Sequence, residues 1–436
     1  MEKEPVMTAS DVGYDRLYTW IKQRLGPVHT TVCRTVAWAV LCLLLAQRAT
    51  PAVLARALPA EQAGSGRACL RRVRRWWNGP PLDQAHISPR LVQMALSVLP
   101  PGTRVIVALD TTRLGSWEIW LAGIVVGGRT LPIGWAVIPY PWPKGRFRAT
   151  TLALLQQLQR VFPVEVHWTL VADRGFPSAA LFALLRQGGT DFSVRLRLSD
   201  WVTVDGVYTT VADHLEAGRL SVGQRTRATM GRGRSDQPLV PGWIVVSAAL
   251  MVPPKHKQNP GTVRERAKRA KAHAQHRAHK QGRKTIPPSA VAQRYAQTWV
   301  LFTTAPTVTQ AVVEYAGRMS IEETYRDWHH HWAVRTAVVG LPTEAMVTRL
   351  IGVVCLAYTV QMHLGQRVSV DPTSQQRRAQ WTVTDRVSWF WCGQRLFDDP
   401  GYDWSGWLAQ QWESLAQLVA AAPATPVPEP ALAEAA

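Results

Sequence analysis

The sequence predicts a mixed α/β fold with helical regions at both ends, and three observations point to it. Segments rich in β-branched and aromatic residues, Thr103 to Asp110, Trp117 to Val126 and Thr130 to Ile138, follow one another with Gly127-Gly128 as a turn, which reads as a three-stranded meander. Downstream, helix-like Ala149 to Val161, apolar Val166 to Ala172, helix-like Ser178 to Arg186 and strand-like Phe192 to Leu196 alternate, the pattern of a sheet covered by helices. Before Leu99 and from Thr307 to about Leu364 the apolar periodicity is helical.

These patterns divide the chain. Residues 1–100 read as a helical N-terminal domain, with a buried core helix at Val36 to Ala46 and a second helix that ends at Asn78-Gly79-Pro80-Pro81. Residues 101–197 and 305–365 form the α/β core, and 198–304 a β-rich insertion with short strands at Trp201 to Val204 and Trp243 to Leu250. Trp299 to Thr303 reads as the strand that closes the insertion. Residues 366–420 form a C-terminal helical region, and the Ala/Pro-rich 421–436 a disordered tail.

Composition narrows the function. With 436 residues and 47% hydrophobic content the chain has enough apolar material for a large core, which excludes a mostly disordered protein. Fifty Lys and Arg oppose 30 Asp and Glu, a formal charge of +20 that favours a polyanionic partner. Half of that excess sits between Lys255 and Lys284, where eleven Lys and Arg, among them Lys268, Arg269 and Lys271, accompany one Glu. That run is the expected site of sequence-independent phosphate contact. No apolar run reaches the roughly 18 residues of a membrane span. The five cysteines are scattered and lack C-x-x-C spacing, so neither a disulfide framework nor a zinc ribbon is expected. Nothing from Met1 to Asp15 reads as an export leader, and a cytoplasmic location is expected.

Acidic residues are few, and two of them end strongly apolar segments: Val105-Ile106-Val107-Ala108-Leu109-Asp110 and Thr169-Leu170-Val171-Ala172-Asp173. A carboxylate at the end of a buried strand either caps the following turn or holds a hydrogen-bonding, ionic or metal partner. A third element runs from Glu314 to His329. On a continuous helix Tyr315, Arg318, Glu322, Arg326 and His329 share one face, with a single acid among cationic and hydrogen-bonding groups. Glu323 falls off that face. The triplet His329-His330-His331 is no zinc site, because consecutive helical side chains point about 100° apart.

Tyr315-x2-Arg318-x3-Glu322-x6-His329 resembles the tyrosine, arginine, glutamate, lysine signature of the DDE transposases of bacterial cut-and-paste insertion sequences. Asp110 in Val107-Ala108-Leu109-Asp110-Thr111-Thr112 and Asp173 in Val171-Ala172-Asp173-Arg174-Gly175-Phe176 match that family's other two acids. One position departs: His329 stands where the signature has lysine, and a histidine contacts phosphate only by hydrogen bonding or when protonated.

The resemblance implies an RNase H-like catalytic core with a β-rich insertion. It implies that Asp110, Asp173 and Glu322 are catalytic and hold two divalent ions, Mg²⁺ or Mn²⁺, with Asp110 bridging the pair. It further implies double-stranded DNA partners, the terminal inverted repeats and the target, with Tyr315, Arg318, Arg326 and His329 near the DNA. Trp299 would stack on a base flipped from the duplex. Arg71, Arg72, Arg74 and Arg75, on a helix of the N-terminal domain, would read the repeat. Two protomers are expected in the paired-end complex, with aromatic residues between Asp385 and Ala420 as the contact. Two other functions fit the same residues: an RNase H-like nuclease without strand transfer, and a domesticated or inactive transposase that only binds DNA.

Overall fold

A computed structural model describes residues 30–57, 65–248, 298–370 and 388–398, except 80, 81, 83, 101, 235 and 236, together with several residues between 14 and 22. The run Lys255 to Lys284, with Lys268, Arg269 and Lys271, lies outside the described residues, as do the tail and most of the aromatic C-terminal segment. The architecture is mixed α/β and is consistent with the RNase H-like class. The chain divides into two compact units, one of residues 1–169 and 317–436, the other of residues 170–316.

The first unit begins with helices α1 (Thr30–Ala46), α2 (Pro51–Arg56), α3 (Gly66–Trp77) and α4 (Gln84–Ser97). Ser65 caps α3 by accepting the Ala68 amide, and the helix buries Cys69, Val73, Trp76 and Trp77. Strands β1 (Val105–Leu114), β2 (Trp117–Val126) and β3 (Arg129–Pro139) form the expected antiparallel meander. Gly127 and Gly128 both take positive φ, as a two-residue hairpin turn requires. Helix α5 (Arg146–Val161) follows.

Asp110 is not at the end of its strand. The sequence places a boundary where the apolar run stops, yet Thr111 and Thr112 are good strand formers, and β1 continues to Leu114 with Asp110 opposite Leu121.

After residue 317 the same unit adds α9 (Met319–Arg326), a π-helical turn (Asp327–His331), α10 (Val334–Val339), α11 (Glu344–Val370) and α12 (Trp389–Asp398). The segment read as one continuous helix is therefore interrupted. Gly317 and Arg318 form a turn, and the Trp332 amide donates to the Asp327 carbonyl five residues back, which widens the last turn. Within α11, residues 344–366 are long and apolar enough to cross a membrane, contrary to the expectation that no segment of the chain reaches that length. That stretch is 83% buried inside the protein and acts as its central core helix. Phe390 of α12, expected at a protomer contact, is fully buried against Tyr358 and Trp332.

The second unit holds most of β4 (Trp168–Ala172), then α6 (Ala179–Gln187), β5 (Asp191–Arg195), the hairpin β6 (Trp201–Val204) and β7 (Val207–Thr210), α7 (Val211–Glu216), β8 (Arg225–Met230), β9 (Val240–Val246), β10 (Val300–Thr303) and α8 (Val308–Ala316). Its strand order is β4-β5-β10-β9-β8-β6-β7. The strand that closes the insertion, β10, lies antiparallel between β5 and β9, so the insertion extends this sheet. Helix α8 anchors through Glu314, only 2% exposed, whose carboxylate accepts from Ser193 Oγ at 2.9 Å and Gln310 Nε2 at 2.9 Å.

One buried ion pair fixes the π-helical turn. Asp327, 1% exposed, accepts from Arg129 Nε at 2.7 Å and from the Tyr358 hydroxyl at 2.8 Å. Burial raises the Asp327 pKa, partly offset by Arg129 and Tyr358, while Asp327 holds the Arg129 pKa above its ordinary value against burial. Breaking such a pair from one side leaves a buried charge, so Asp327→Ala should cost about 3 to 5 kcal/mol of unfolding free energy. Urea denaturation checks this, and an unchanged midpoint would show that the pair is idle.

Candidate active site

In the first unit, β1 carries Asp110 and Thr112 on one face, because side chains two apart share a side of a strand. Asp110 Oδ1 accepts from the Thr111 amide at 2.8 Å, and Oδ2 accepts from Arg318 Nη1 at 3.1 Å. The other arm of the same guanidinium, Nη2, donates to Glu322 Oε1 at 2.5 Å. Arg318 thus bridges two carboxylates that lie 212 residues apart in sequence (322 − 110). The three side chains differ in exposure: 8% for Arg318, 19% for Asp110 and 45% for Glu322.

Neighbouring residues of α9 and the π-helical turn hold this arrangement against the meander. The Thr324 hydroxyl accepts the Thr130 amide at 2.9 Å. The Tyr325 hydroxyl donates to the Asp110 carbonyl at 2.9 Å, and its pKa is raised well above the usual value, first by burial and then by the Asp110 charge. His329 Nε2 lies 3.1 Å from Thr112 Oγ1, and its ring stacks on Tyr325. Glu323 and Arg326 pair with each other at 2.5 Å on the exposed side. Arg326, expected on the face of Arg318 and Glu322, instead spends its charge there.

Burial lowers the pKa of His329, and the charges of His330 and Arg335 lower it further. The imidazole is therefore neutral at pH 7, where the family signature carries a permanently charged lysine.

In the second unit, Asp173 directly follows β4, and the Tyr315 hydroxyl donates to its Oδ1 at 3.3 Å. Arg195 Nη1 lies 4.0 Å from the same oxygen, and Arg197 Nε donates to the Arg174 carbonyl at 2.7 Å, which fixes the loop after Asp173. Trp299 is 8% exposed and packs edge-on against Tyr315 at 4.8 Å. It belongs to a buried cluster with Tyr315, Leu301 and Val312, with little of its surface open to a stacking base.

On α3, Arg71, Arg72, Arg74 and Arg75 are all exposed or half-buried, opposite the buried face of the helix. They present a continuous cationic surface.

Sequence reasoning passed over several residues of the first unit. Asp327, Arg129, Tyr358, Thr130 and Thr324 are the buried clamp, and nothing local marks partners that lie 198 residues apart. Glu118 on β2 is a buried carboxyl opposite Arg113. Burial raises its pKa, partly offset by Thr111 and Arg113, and the acid inside the apolar run Trp117-Glu118-Ile119-Trp120 was its signal.

Among the described residues no three His, Cys, Asp or Glu side chains are gathered as a metal site. The oxygen atoms of Asp110 and Glu322 nevertheless already share one cation, the Arg318 guanidinium. Carboxylate oxygens are hard donors, the kind that Mg²⁺ and Mn²⁺ take.

Because the folded protein holds His329 neutral, it binds fewer protons there than the unfolded chain below about pH 6.5. Stability is thus complete above that value and falls as the pH drops through it. Urea unfolding from pH 8 to 5 should show this loss, and His329→Gln should reduce its slope. An identical slope in the variant would remove His329 as the source.

No curated protein matches the chain. Residues 147–360 match the family described as transposase DDE domain, a stretch that includes Asp173, Trp299, Tyr315, Arg318, Glu322, Arg326 and His329 and stops short of Asp110. Over that stretch, just under half of its length, the chain is similar to a transposase DDE domain.

Proposed function

We propose that the protein is a DNA transposase of the bacterial cut-and-paste type, which binds terminal inverted repeats, cleaves the element's ends and transfers the freed 3' hydroxyls into target DNA. Asp110, Asp173 and Glu322 are its metal ligands, two Mg²⁺ or Mn²⁺ ions its cofactors, and two protomers its paired-end complex. The observation that carries this reading is the joint hold of Arg318 on Asp110 and Glu322, which pairs the β1 acid with an acid of the DDE domain.

Bound divalent ions supply charge stabilisation for the attacking and leaving oxygens of a phosphodiester exchange. The chain's own residues do the rest. Asp110 keeps one oxygen on the Thr111 amide, which orients the carboxylate toward Glu322. Tyr315 orients Asp173 through its hydroxyl. His329, neutral and held by Thr112, offers DNA a hydrogen bond and no permanent charge. The arginines of α3 supply phosphate and guanine contacts, since a guanidinium pairs with either.

Asp110→Asn, Asp173→Asn and Glu322→Gln should each abolish Mg²⁺-dependent cutting of end DNA while gel-shift affinity is retained. Cutting that survives any of the three sinks this mechanism. Replacing Arg71, Arg72, Arg74 and Arg75 with Ala should weaken binding and lower the slope of log K against log salt by roughly 0.9 for each phosphate that these arginines neutralise. An unchanged slope would show that α3 does not face DNA.

A further inference from the structure

We propose that Arg318 is a resident counter-cation of the Asp110–Glu322 pair, exchanged for a divalent ion when the protein loads metal. This rests on the reading of Asp110 and Glu322 as metal ligands. Without a cation, two carboxylates facing one another beside a partly buried strand repel, and burial raises that cost. The guanidinium removes the conflict by giving one N–H arm to each, at 3.1 Å and 2.5 Å.

The same geometry sets the two cations in competition. The oxygens used are Asp110 Oδ2 and Glu322 Oε1, and Asp110 Oδ1 is already engaged by the Thr111 amide. A divalent ion that coordinates these oxygens competes with Arg318 for them and is repelled by its guanidinium. Charge favours the exchange. Two carboxylates against one guanidinium leave a net negative charge, whereas one divalent ion neutralises both.

The surroundings permit it. Arg318 sits in the turn that separates α8 from α9, so its exchange changes side-chain contacts and leaves the hydrogen bonds of both helices in place. Glu322 is 45% exposed, so that arm of the contact is open to water, whereas Arg318 itself and Asp110 are 8% and 19% exposed. Arg318 is thus a positioning residue in the ion-free protein and a fork that can turn to an anion in the loaded one.

The test measures Mn²⁺ binding by the full-length, DNA-free protein, with free Mn²⁺ read by electron paramagnetic resonance. Arg318→Gln should bind Mn²⁺ tighter than wild type, on the order of threefold to tenfold, because the competing cation is gone. Its metal-free form should melt at a lower temperature and gain more from Mn²⁺ than wild type does. Arg318→Lys, which keeps a charge but loses the two-armed fork, should fall between the two, and it carries the test if the Gln variant does not fold.

Weaker or unchanged Mn²⁺ affinity in these variants, with Glu322→Gln still abolishing binding, would overturn the exchange and leave the metal ligands standing. Mn²⁺ binding that is absent, or indifferent to Glu322→Gln, would instead overturn the metal reading and the exchange with it.

Discussion

The geometry of the first unit depends on the burial of one carboxylate. Asp327 is 1% exposed, and it holds its charge only because Arg129 from β3 and Tyr358 from α11 reach it. That requirement ties the π-helical turn to a strand and to the core helix at once. Neighbouring side chains repeat the operation: Thr324 bonds to Thr130, Tyr325 to the Asp110 carbonyl, and His329 to Thr112. Buried polar groups must be satisfied, so each of these ties has one geometry that works and many that leave an unpaired atom. Together they set where Arg318 and Glu322 stand against β1.

Exposure separates the two ion pairs of this region into different kinds of device. Asp327–Arg129, with side chains 1% and 13% exposed, can be broken only by stranding a charge in the core. The Arg318 contact is buried on the side of Arg318 and Asp110, 8% and 19% exposed, and open to water only at Glu322, at 45%. Asp327 lies only five residues beyond Glu322 on the chain, which lets the first pair hold the second in register.

Much of the fold was legible. The meander, its Gly127-Gly128 turn, β6 and the strand closing the insertion all followed from composition and alternation, because local propensity and burial agree there. The end of β1 was misread because an apolar run was taken for the strand, whereas Thr111 and Thr112 extend it on pairing alone. The break at Gly317 was present in the sequence as a glycine inside a helical pattern, a signal outweighed by the periodicity on either side. The clamp around Asp327 was not legible at all. An acid, an arginine and a tyrosine far apart in sequence become a network only when the fold delivers them to one place. At the site, helical phase separates Glu322 from Glu323, since Arg318 and Glu322 are four apart across the turn, while Arg326 goes to Glu323.

The charge state of the signature segment follows from these contacts and runs against the composition of the chain. The protein carries a formal charge of +20, yet the cations of this segment are committed: Arg318 to Asp110 and Glu322, Arg326 to Glu323. His329 adds none at pH 7, because burial and the nearby His330 and Arg335 oppose its protonation. Without metal, then, Arg318, Arg326 and His329 offer a polyanion little positive charge beyond what the adjoining acids already take up, whereas the arginines of α3 stand together with no acid in their helix. Electrostatic attraction falls off within about 10 Å at ordinary salt, so charge on α3 serves the phosphates that α3 itself reaches. Releasing Arg318 from its two carboxylates changes that balance where the acids sit. Under the proposed exchange, the positive charge offered to phosphate near the acids rises when Arg318 gives up its two carboxylates.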